Sequence, residues 1–412
     1  MGAASGAAID HTPSPSSSSR AGLDWVNFFI ANVQTGFGPF ISVYLTTEKW
    51  TQVDIGLVLT VSGAFALLGQ VPAGILVDAI ASKRAVAAAA ALAIAGSALA
   101  LAVWPIFPMV LLAEILHGAA SCLMTPAIAA ISLGLVSRAQ IGERLGRNAR
   151  FASIGNGLAA ALMGACGRLL SNRAVFVLAA ALAIPALIAL RRIRPGEIDP
   201  VRARGGKPEP HPHGFKARCH GIADNKPLLI FGGCLVLFHL ANGAMLPLMA
   251  SVVTMRSREW ATVLIAACIV APQLLVAVLS PWIGRQAETW GRWPLLLTGF
   301  GALAIRGLFF VFVRSPYLLV PVQLLDGVSA AVMGVMLPLV VADTTRGTGH
   351  FNAALGVVGT AGAIGAALST TLAGYLSDGF GNAAAFSCLA AIAVASATMV
   401  AGLMPETRPL RE

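Results

Sequence analysis

"PAGILVDAIASKR", residues 72–84, ends a long apolar run with a glycine, a carboxylate four residues later and then two cations. "PWIGRQAETWGRW", residues 281–293, repeats the design in the second half of the chain. Gly284 stands to Glu288 as Gly74 stands to Asp78, and a basic residue follows each pair, Arg292 in this copy and Lys83 and Arg84 in the first. A charged turn that occurs twice between apolar runs raises the possibility that the whole chain is duplicated.

The composition shows what the runs are. Of 412 residues, 57% are hydrophobic and 11% charged, with a mean hydropathy of +0.79. Soluble domains carry about twice that charge fraction. Apolar stretches of roughly 20 residues recur throughout without period-two alternation, which points to helices crossing a bilayer and away from a barrel. Twelve spans are expected near 23–46, 54–77, 85–103, 107–136, 150–171, 174–190, 227–253, 261–283, 294–313, 316–342, 352–376 and 383–403.

Between the sixth and seventh spans lies the one long hydrophilic stretch, "RRIRPGEIDPVRARGGKPEPHPHGFKARCHGIADNK", residues 191–226. The expected organisation is a disordered tail (1–22), a six-helix bundle (23–190), a basic linker (191–226), a second six-helix bundle (227–404) and a tail (405–412). The first 22 residues are rich in Ser, Pro and Ala and have no basic segment leading into a short apolar core, so they do not read as a signal peptide.

With the N-terminus placed in the cytoplasm, 21 of the 28 basic residues fall on the cytoplasmic side, nine of them in the linker. Both termini are therefore expected there. The formal charge of +10 is then a topology signal. It is not a folded basic face of the kind nucleic-acid binding needs, so no nucleic-acid partner is expected. Six scattered cysteines with no CxxC pair read as small buried apolar residues. "HPH" at 211–213 reads as solvated linker histidines. No metal or cofactor is expected.

Two further correspondences support the duplication. Span 4 reads Glu114-Ile-Leu-His117-Gly118 and span 10 reads Gln323-Leu-Leu-Asp326-Gly327. Span 5 opens with Asn148 and has Gly155 seven residues on; span 11 opens with Asn352 and has Gly359 seven on.

A parallel repeat of six helices, with acid-and-base turns after the second helix of each half, resembles the major facilitator superfamily. The resemblance covers roughly residues 23–404. Gly74, Asp78, Lys83 and Arg84 match that family's G-x-x-x-D-x-x-G-R-[KR] signature, with Ala81 and Ser82 as departures, and Glu288, Gly291 and Arg292 form the second copy. "VQTGFGPFISVYL", "FHLANGAMLPL" and "LLDGVSAAVMGVMLPLVVADTTRGTG" are similar to phrases of a bacterial drug and metabolite efflux-like subgroup, and "MPETR" resembles the C-terminal phrase of bacterial members. The resemblance implies an all-α membrane protein of twelve transmembrane helices in two pseudo-symmetric six-helix bundles, working by alternating access in a bacterial inner membrane. Spans 1, 4, 7 and 10 would line a central cavity, and spans 2, 5, 8 and 11 would form the interface between halves. A monomer is expected, with the lipid bilayer, a small-molecule substrate and protons as its partners.

The sequence itself places polar groups at mid-depth on those four cavity spans. A charge there costs about 2.5–3.5 kcal/mol on insertion scales, so such residues face an interior and find partners. The candidates are Asn32 and Gln34 on span 1, Glu114 and His117 on span 4, His239 and Asn242 on span 7, and Gln323 and Asp326 on span 10, with Arg306 on span 9. Each has a structural alternative. Glu114 and His117 could be hydrogen-bonded glue, His239 a hydrogen-bonded helix residue, and Arg306 with Asp326 a fixed ion pair. If that pair forms, Asp326 stays ionised and Glu114 becomes the better proton carrier. The reaction class is then proton-coupled movement of a small organic solute. Efflux is implied by the resemblance alone and not by a motif: "GLAAALMGACGRL" on span 5 lacks the Gly-Pro motif of many drug antiporters. The alternatives are a symporter or facilitator importing a metabolite and a transport-dead sensor. No enzyme motif is present.

Gly74, Asp78, Lys83, Arg84, Glu288, Gly291 and Arg292 are expected to form a cytoplasmic gate. Gly155 on span 5 and the row Gly356, Gly359, Gly362 and Gly365 on span 11 are expected to form the seam where the halves rock.

Overall fold

The structure is a computed structural model in which residues 15–35, 37, 39–206, 224–256, 261–313 and 315–409 are described. The histidines at 211 and 213 and Cys219 lie outside them. Among the described residues there are helices and no strands. Span 1 is Ser17–Thr35 followed by Pro39–Thr47, and span 7 is Lys226–Asn242 followed by Met245–Arg256. The others are continuous: Gln52–Ala79, Lys83–Val103, Phe107–Leu135, Ile141–Leu169 and Asn172–Arg191 in the first half, then Ala261–Trp290, Trp293–Phe312, Leu319–Thr344, Phe351–Phe380 and Asn382–Leu403 in the second.

Local chemistry sets the helix starts. Thr51, Ser82, Ser171 and Asn225 each accept a hydrogen bond from a backbone N–H three residues on, opening spans 2, 3, 6 and 7. Span lengths divide by position. Spans 3, 6, 9 and 12 have 20 to 22 residues, about what a bilayer core requires. Spans 2, 4, 5, 8 and 11 have 28 to 30 and so extend beyond it or tilt across it.

Each half has its own apolar core, one built from spans 1–6 and the other from spans 7–12 with Ala129, Leu133 and Leu145 of spans 4 and 5 packed into it. The packing repeats between them: spans 1·5, 2·4, 3·4, 3·6 and 1·6 pair in the first half as 7·11, 8·10, 9·10, 9·12 and 7·12 do in the second. The halves meet through spans 5·8 and 2·11.

Close backbone contacts fix the repeat register, and it differs from the sequence reading at spans 5 and 11. A Cβ built on Gly74 would meet the Asn352 carbonyl at 2.1 Å, and one on Gly284 would meet the Gly142 carbonyl at 2.2 Å. Gly356 meets the carbonyl of Gln70 as Gly146 meets that of Ser280, both at 2.4 Å. Gly155 abuts the Phe28 carbonyl of span 1 as Gly365 abuts the Val236 carbonyl of span 7. Asn352 therefore corresponds to Gly142, not Asn148, and Gly155 corresponds to Gly365, not Gly359. Two glycines seven residues from an asparagine matched by coincidence of composition. Spans 4 and 10 keep the expected register: Gly118 meets the Ser62 carbonyl and Gly327 that of Pro272.

Three boundaries also move. The helix of span 1 begins at Ser17, inside the stretch read as a tail, and Ser19 is buried there, accepting from the Arg194 N–H at 3.0 Å. Span 5 begins at Ile141, nine residues early, because its first turns, though charged, are packed between spans 1 and 8. Eleven spans are apolar enough to cross a membrane on length and composition alone, and span 5 is the exception. The linker's first part, through Gly206, is not loose. Asp199 N–H donates to the Gly134 carbonyl (3.0 Å), Gly347 N–H to the Gly205 carbonyl (2.7 Å), and Ala203 is fully buried.

Candidate functional site

The membrane-depth polar residues form two clusters, one per half, each beside the break in its half's first span. In the second half, the Arg306 guanidinium on span 9 donates to the Asp326 carboxylate on span 10 and to the Asn242 side-chain oxygen on span 7. It also reaches the Met245 sulfur at 3.2 Å. Arg306 is 1% exposed while the Asp326 side chain is 26% exposed, so the pair is a strut joining three helices whose cation is enclosed and whose carboxylate is partly open. Of the two readings open for Arg306 and Asp326, the paired one is what forms.

In the first half, Glu114 and His117 lie on span 4 but make no hydrogen bond to each other. Glu114 is 3% exposed, and its Oε1 is buried with no hydrogen-bond partner. Its backbone carbonyl accepts from Ser62 Oγ of span 2 at 3.2 Å. The His117 ring stacks flat on Phe37, in the break of span 1, with centroids 3.8 Å apart and planes at 5°. Residues three apart on a helix are rotated by about 60°, which sends one side chain toward span 2 and the other toward span 1.

The repeat gives these placements a pattern. Gln323, the counterpart of Glu114, is likewise buried, with Oε1 lacking a partner. Asp326, the counterpart of His117, is tied through Arg306 to the break of span 7 as His117 is tied to the break of span 1. The remaining candidates are placed in helix contacts. Asn32 donates back to the Phe28 carbonyl at 2.8 Å and lies against Gly155. Gln34 is half-buried, its carbonyl accepting from Phe37 N–H. His239 Nδ1 lies 3.0 Å from the Leu235 carbonyl, with its ring edge on Gly362 of span 11.

At the linker end of the molecule the halves are latched. The Asp78 carboxylate at the end of span 2 accepts from Asn352 Nδ2 (2.7 Å), Asn352 N–H (3.3 Å) and Ala353 N–H (2.9 Å). It caps the N-terminus of span 11 from the other half, satisfying donors no intrahelical carbonyl can reach. Asn352 Nδ2 also donates to the Ala203 carbonyl of the linker at 3.1 Å. The second copy of the motif works differently. Arg292 pairs with Glu288 (3.2 Å) and Asp343 (2.9 Å), and Arg138, from the first half, shares Asp343 at 3.3 Å. Gly291, at φ +95°, brings the chain against Glu406, which accepts from the N–H groups of Arg292 and Trp293 at the start of span 9.

Two expected gate cations act within their own half. Lys83 Nζ donates to the carbonyls of Val77, Asp78 and Ile80, closing the C-terminus of span 2. Arg84 Nε donates to the Leu190 carbonyl of span 6 at 3.2 Å, away from the latch. The glycine seam also divides. Gly356 and Gly359 face Gln70 of the other half, whereas Gly362 and Gly365 face span 7, and Gly155 faces span 1. Steps of three drift about 60° each, so a row of four spreads over half the helix circumference.

Sequence reasoning missed Asp24 on span 1. It is buried and holds Arg144 and Arg147 of span 5, and Arg144 continues to Asn148 (2.9 Å) and Asn148 to Ser132 of span 4 (2.7 Å). The signal was present in the spacing of Arg144, Arg147 and Asn148 along one face. It was hidden because residues 141–149 read as a loop. Asp343 was missed for the same reason.

Comparison with known proteins agrees with this architecture. The family model for the Major Facilitator Superfamily matches residues 23–316 and 231–412. An uncharacterized MFS-type transporter of Mycobacterium tuberculosis, present in strains CDC 1551 / Oshkosh and ATCC 25618 / H37Rv, is 40% identical over 391 residues, 93% of each chain. Among solved structures, the MFS transporter FucP in an outward conformation superposes with TM-score 0.74 at 14% identity, over 92% of this chain and 97% of that one. The human organic anion transporter MFSD10 (TETRAN) gives 0.69 at 16%, over 93% and 100%. Two bundles in repeat register, a latched signature motif and near-complete coverage by the family model establish that this chain belongs to the Major Facilitator Superfamily.

Proposed function

We propose that this secondary transporter couples proton movement to the export of a small organic solute, with Glu114 as the carboxyl that binds and releases the proton. The setting of Glu114 supports this reading. It is a buried carboxyl whose Oε1 has no hydrogen-bond partner, while the other mid-depth acid, Asp326, is neutralised by Arg306. A buried carboxyl without a counter-charge is comfortable only when protonated, so it must gain its proton before enclosure and lose it on exposure to water. That requirement ties protonation to the rocking of the halves.

The Lys/Arg distribution supports a cytoplasmic linker end, and the latch is shut at that end. The tight contacts between halves at Gly74, Gly142, Gly146, Gly284 and Gly356 all lie toward the linker, whereas Cβ atoms built on Gly63, Gly164 and Gly374 meet nothing within 4 Å. With the linker end shut and Glu114 enclosed, the arrangement corresponds to a step of the cycle after Glu114 has taken up its proton. One charge crossing 100 mV supplies about 2.3 kcal/mol, enough for roughly a fifty-fold solute gradient. A single chain contains both halves, which supports a monomeric unit.

The test is flux through proteoliposomes with an imposed pH gradient, screened over a metabolite panel. Uphill solute movement opposite to the proton gradient, abolished by a protonophore, is the expected result. Solute moving with the protons would replace export by symport, and flux indifferent to the gradient would refute coupling.

A further inference from the structure

The motifs leave one built feature unused. Under the latch, at the linker end, is a cavity of about 680 Å³ walled by segments from both halves. Its lining includes Arg138 from the span 4–5 turn, Arg202 from the linker, Arg292 from the span 8–9 turn, Arg346 from the span 10–11 turn and Arg408 from the C-terminal segment. Against these five guanidiniums stand two lining carboxylates, Glu288 and Asp343, both already engaged by Arg292 and the second also by Arg138. Arg202 pairs with Asp199. Arg408 Nη1 donates only to backbone carbonyls, those of Glu288 (3.2 Å) and Thr289 (2.7 Å). The Arg346 side chain has no carboxylate within ion-pairing distance among the described residues. Glu406, the remaining nearby acid, is occupied by the N–H groups of Arg292, Trp293 and Arg408.

The five guanidiniums outnumber the four carboxylates beside them, Asp199, Glu288, Asp343 and Glu406, and the exposed Arg346 is left over to take an anion at the cavity mouth. Burial and the neighbouring Arg346 both weaken the hold of Arg138 on its proton. Guanidiniums present paired N–H groups in a fixed fork that suits phosphate oxygens, and the volume is that of a small-molecule site. Leu133, Ile141 and Leu339 add an apolar wall.

We propose that this cavity binds a phosphate-bearing anion and that the bound anion holds the linker-end latch closed. The site exists only in this conformation. Arg138 comes from the first half and Arg202 from the linker, while Arg292, Arg346 and Arg408 come from the second half. Rocking the halves apart at Gly142 and Gly284 separates the two sets. A ligand that needs both sets binds one state and shifts the equilibrium toward it by its difference in affinity. The anion acts as a brake on the return step, sensed on the linker side. It is not cargo, because the linker and the C-terminal segment form its roof. The inference rests on the fold and the latch and does not depend on Glu114 or on the direction of transport.

The experiment is calorimetric titration of sodium pyrophosphate into the purified full-length protein at low ionic strength, in nanodiscs of phosphatidylcholine alone. Saturable binding is expected, weakened about tenfold or more by Arg346→Gln, the loss of one charge-assisted contact. Gly142→Leu changes no cavity arginine but blocks closure, since even a Cβ there meets the Gly284 carbonyl at 2.4 Å. It should abolish the binding as well. Repeating the titration in phosphatidylglycerol nanodiscs distinguishes the source. If a lipid headgroup already fills the site, pyrophosphate binding drops there while the Arg346→Gln protein loses its preference for the anionic lipid. No binding in phosphatidylcholine, or binding of equal strength in wild type and both variants, would overturn the proposal.

Discussion

Arg306 shows what a single buried charge demands in this protein. Its guanidinium is shared by Asp326 and Asn242, so truncating Asp326 leaves the enclosed guanidinium without its counter-charge. Breaking such a pair costs about 3–5 kcal/mol, whereas replacing both partners with apolar residues of similar size is near neutral. Asp326→Leu should therefore lower the unfolding temperature of the detergent-purified protein well below that of the double variant Asp326→Leu/Arg306→Met. Equal losses in the two would mean the pair is not the strut described. Asp78 makes a different demand, because its carboxylate accepts three N–H donors at the start of span 11. Asp78→Asn turns an acceptor into a mixed donor and should weaken the closed latch by about 1.5–3 kcal/mol. In a background free of native cysteines, Ala353→Cys, fully buried in the latch, then reacts with a membrane-impermeant maleimide about tenfold faster or more. Unchanged labelling would remove Asp78 from the latch.

At the scale of elements, the linker strap and the helix starts carry information that hydropathy does not. The strap joins the latch through the Ala203 carbonyl and turns at Gly205 and Gly206, at φ +87° and +125°. A Cβ on Gly206 would also lie 2.8 Å from the Gly347 Cα, so Gly206→Val is strained in its backbone and crowded. It should free the strap, raise Ala353→Cys labelling and leave the helical content by circular dichroism unchanged. Unaltered labelling would make the strap a passenger. The existence of the twelve spans was legible because apolar runs of bilayer length have few other uses. Their ends were not. Residues 141–149 look like a loop by charge, yet they are helix because Asp24 neutralises Arg144 and Arg147 across the packing of span 1. The glycine row on span 11 was legible as close packing, but which helix each glycine faces depends on drift that only the three-dimensional register settles.

At the scale of the molecule, the duplication was readable from the paired turns at 72–84 and 281–293, and the structure extends it to the backbone contacts of spans 1·5 with 7·11 and 2·11 with 5·8. The two halves are not chemically equal. One has a carboxyl and an imidazole at the positions where the other has an amide and an ion-paired carboxylate. The sequence singled these residues out but could not tell an ion-paired acid from a solitary one, since both read as charges at mid-depth. That asymmetry is the ground on which Glu114 is proposed as the proton carrier. Glu114→Gln keeps the shape and fixes the uncharged state. The decisive measurement compares this variant with wild type in proteoliposomes, for pH-gradient-driven uphill flux and for solute exchange without a gradient. The account predicts that uphill flux disappears in Glu114→Gln while exchange continues at a rate near that of wild type; uphill flux persisting in the variant would contradict it.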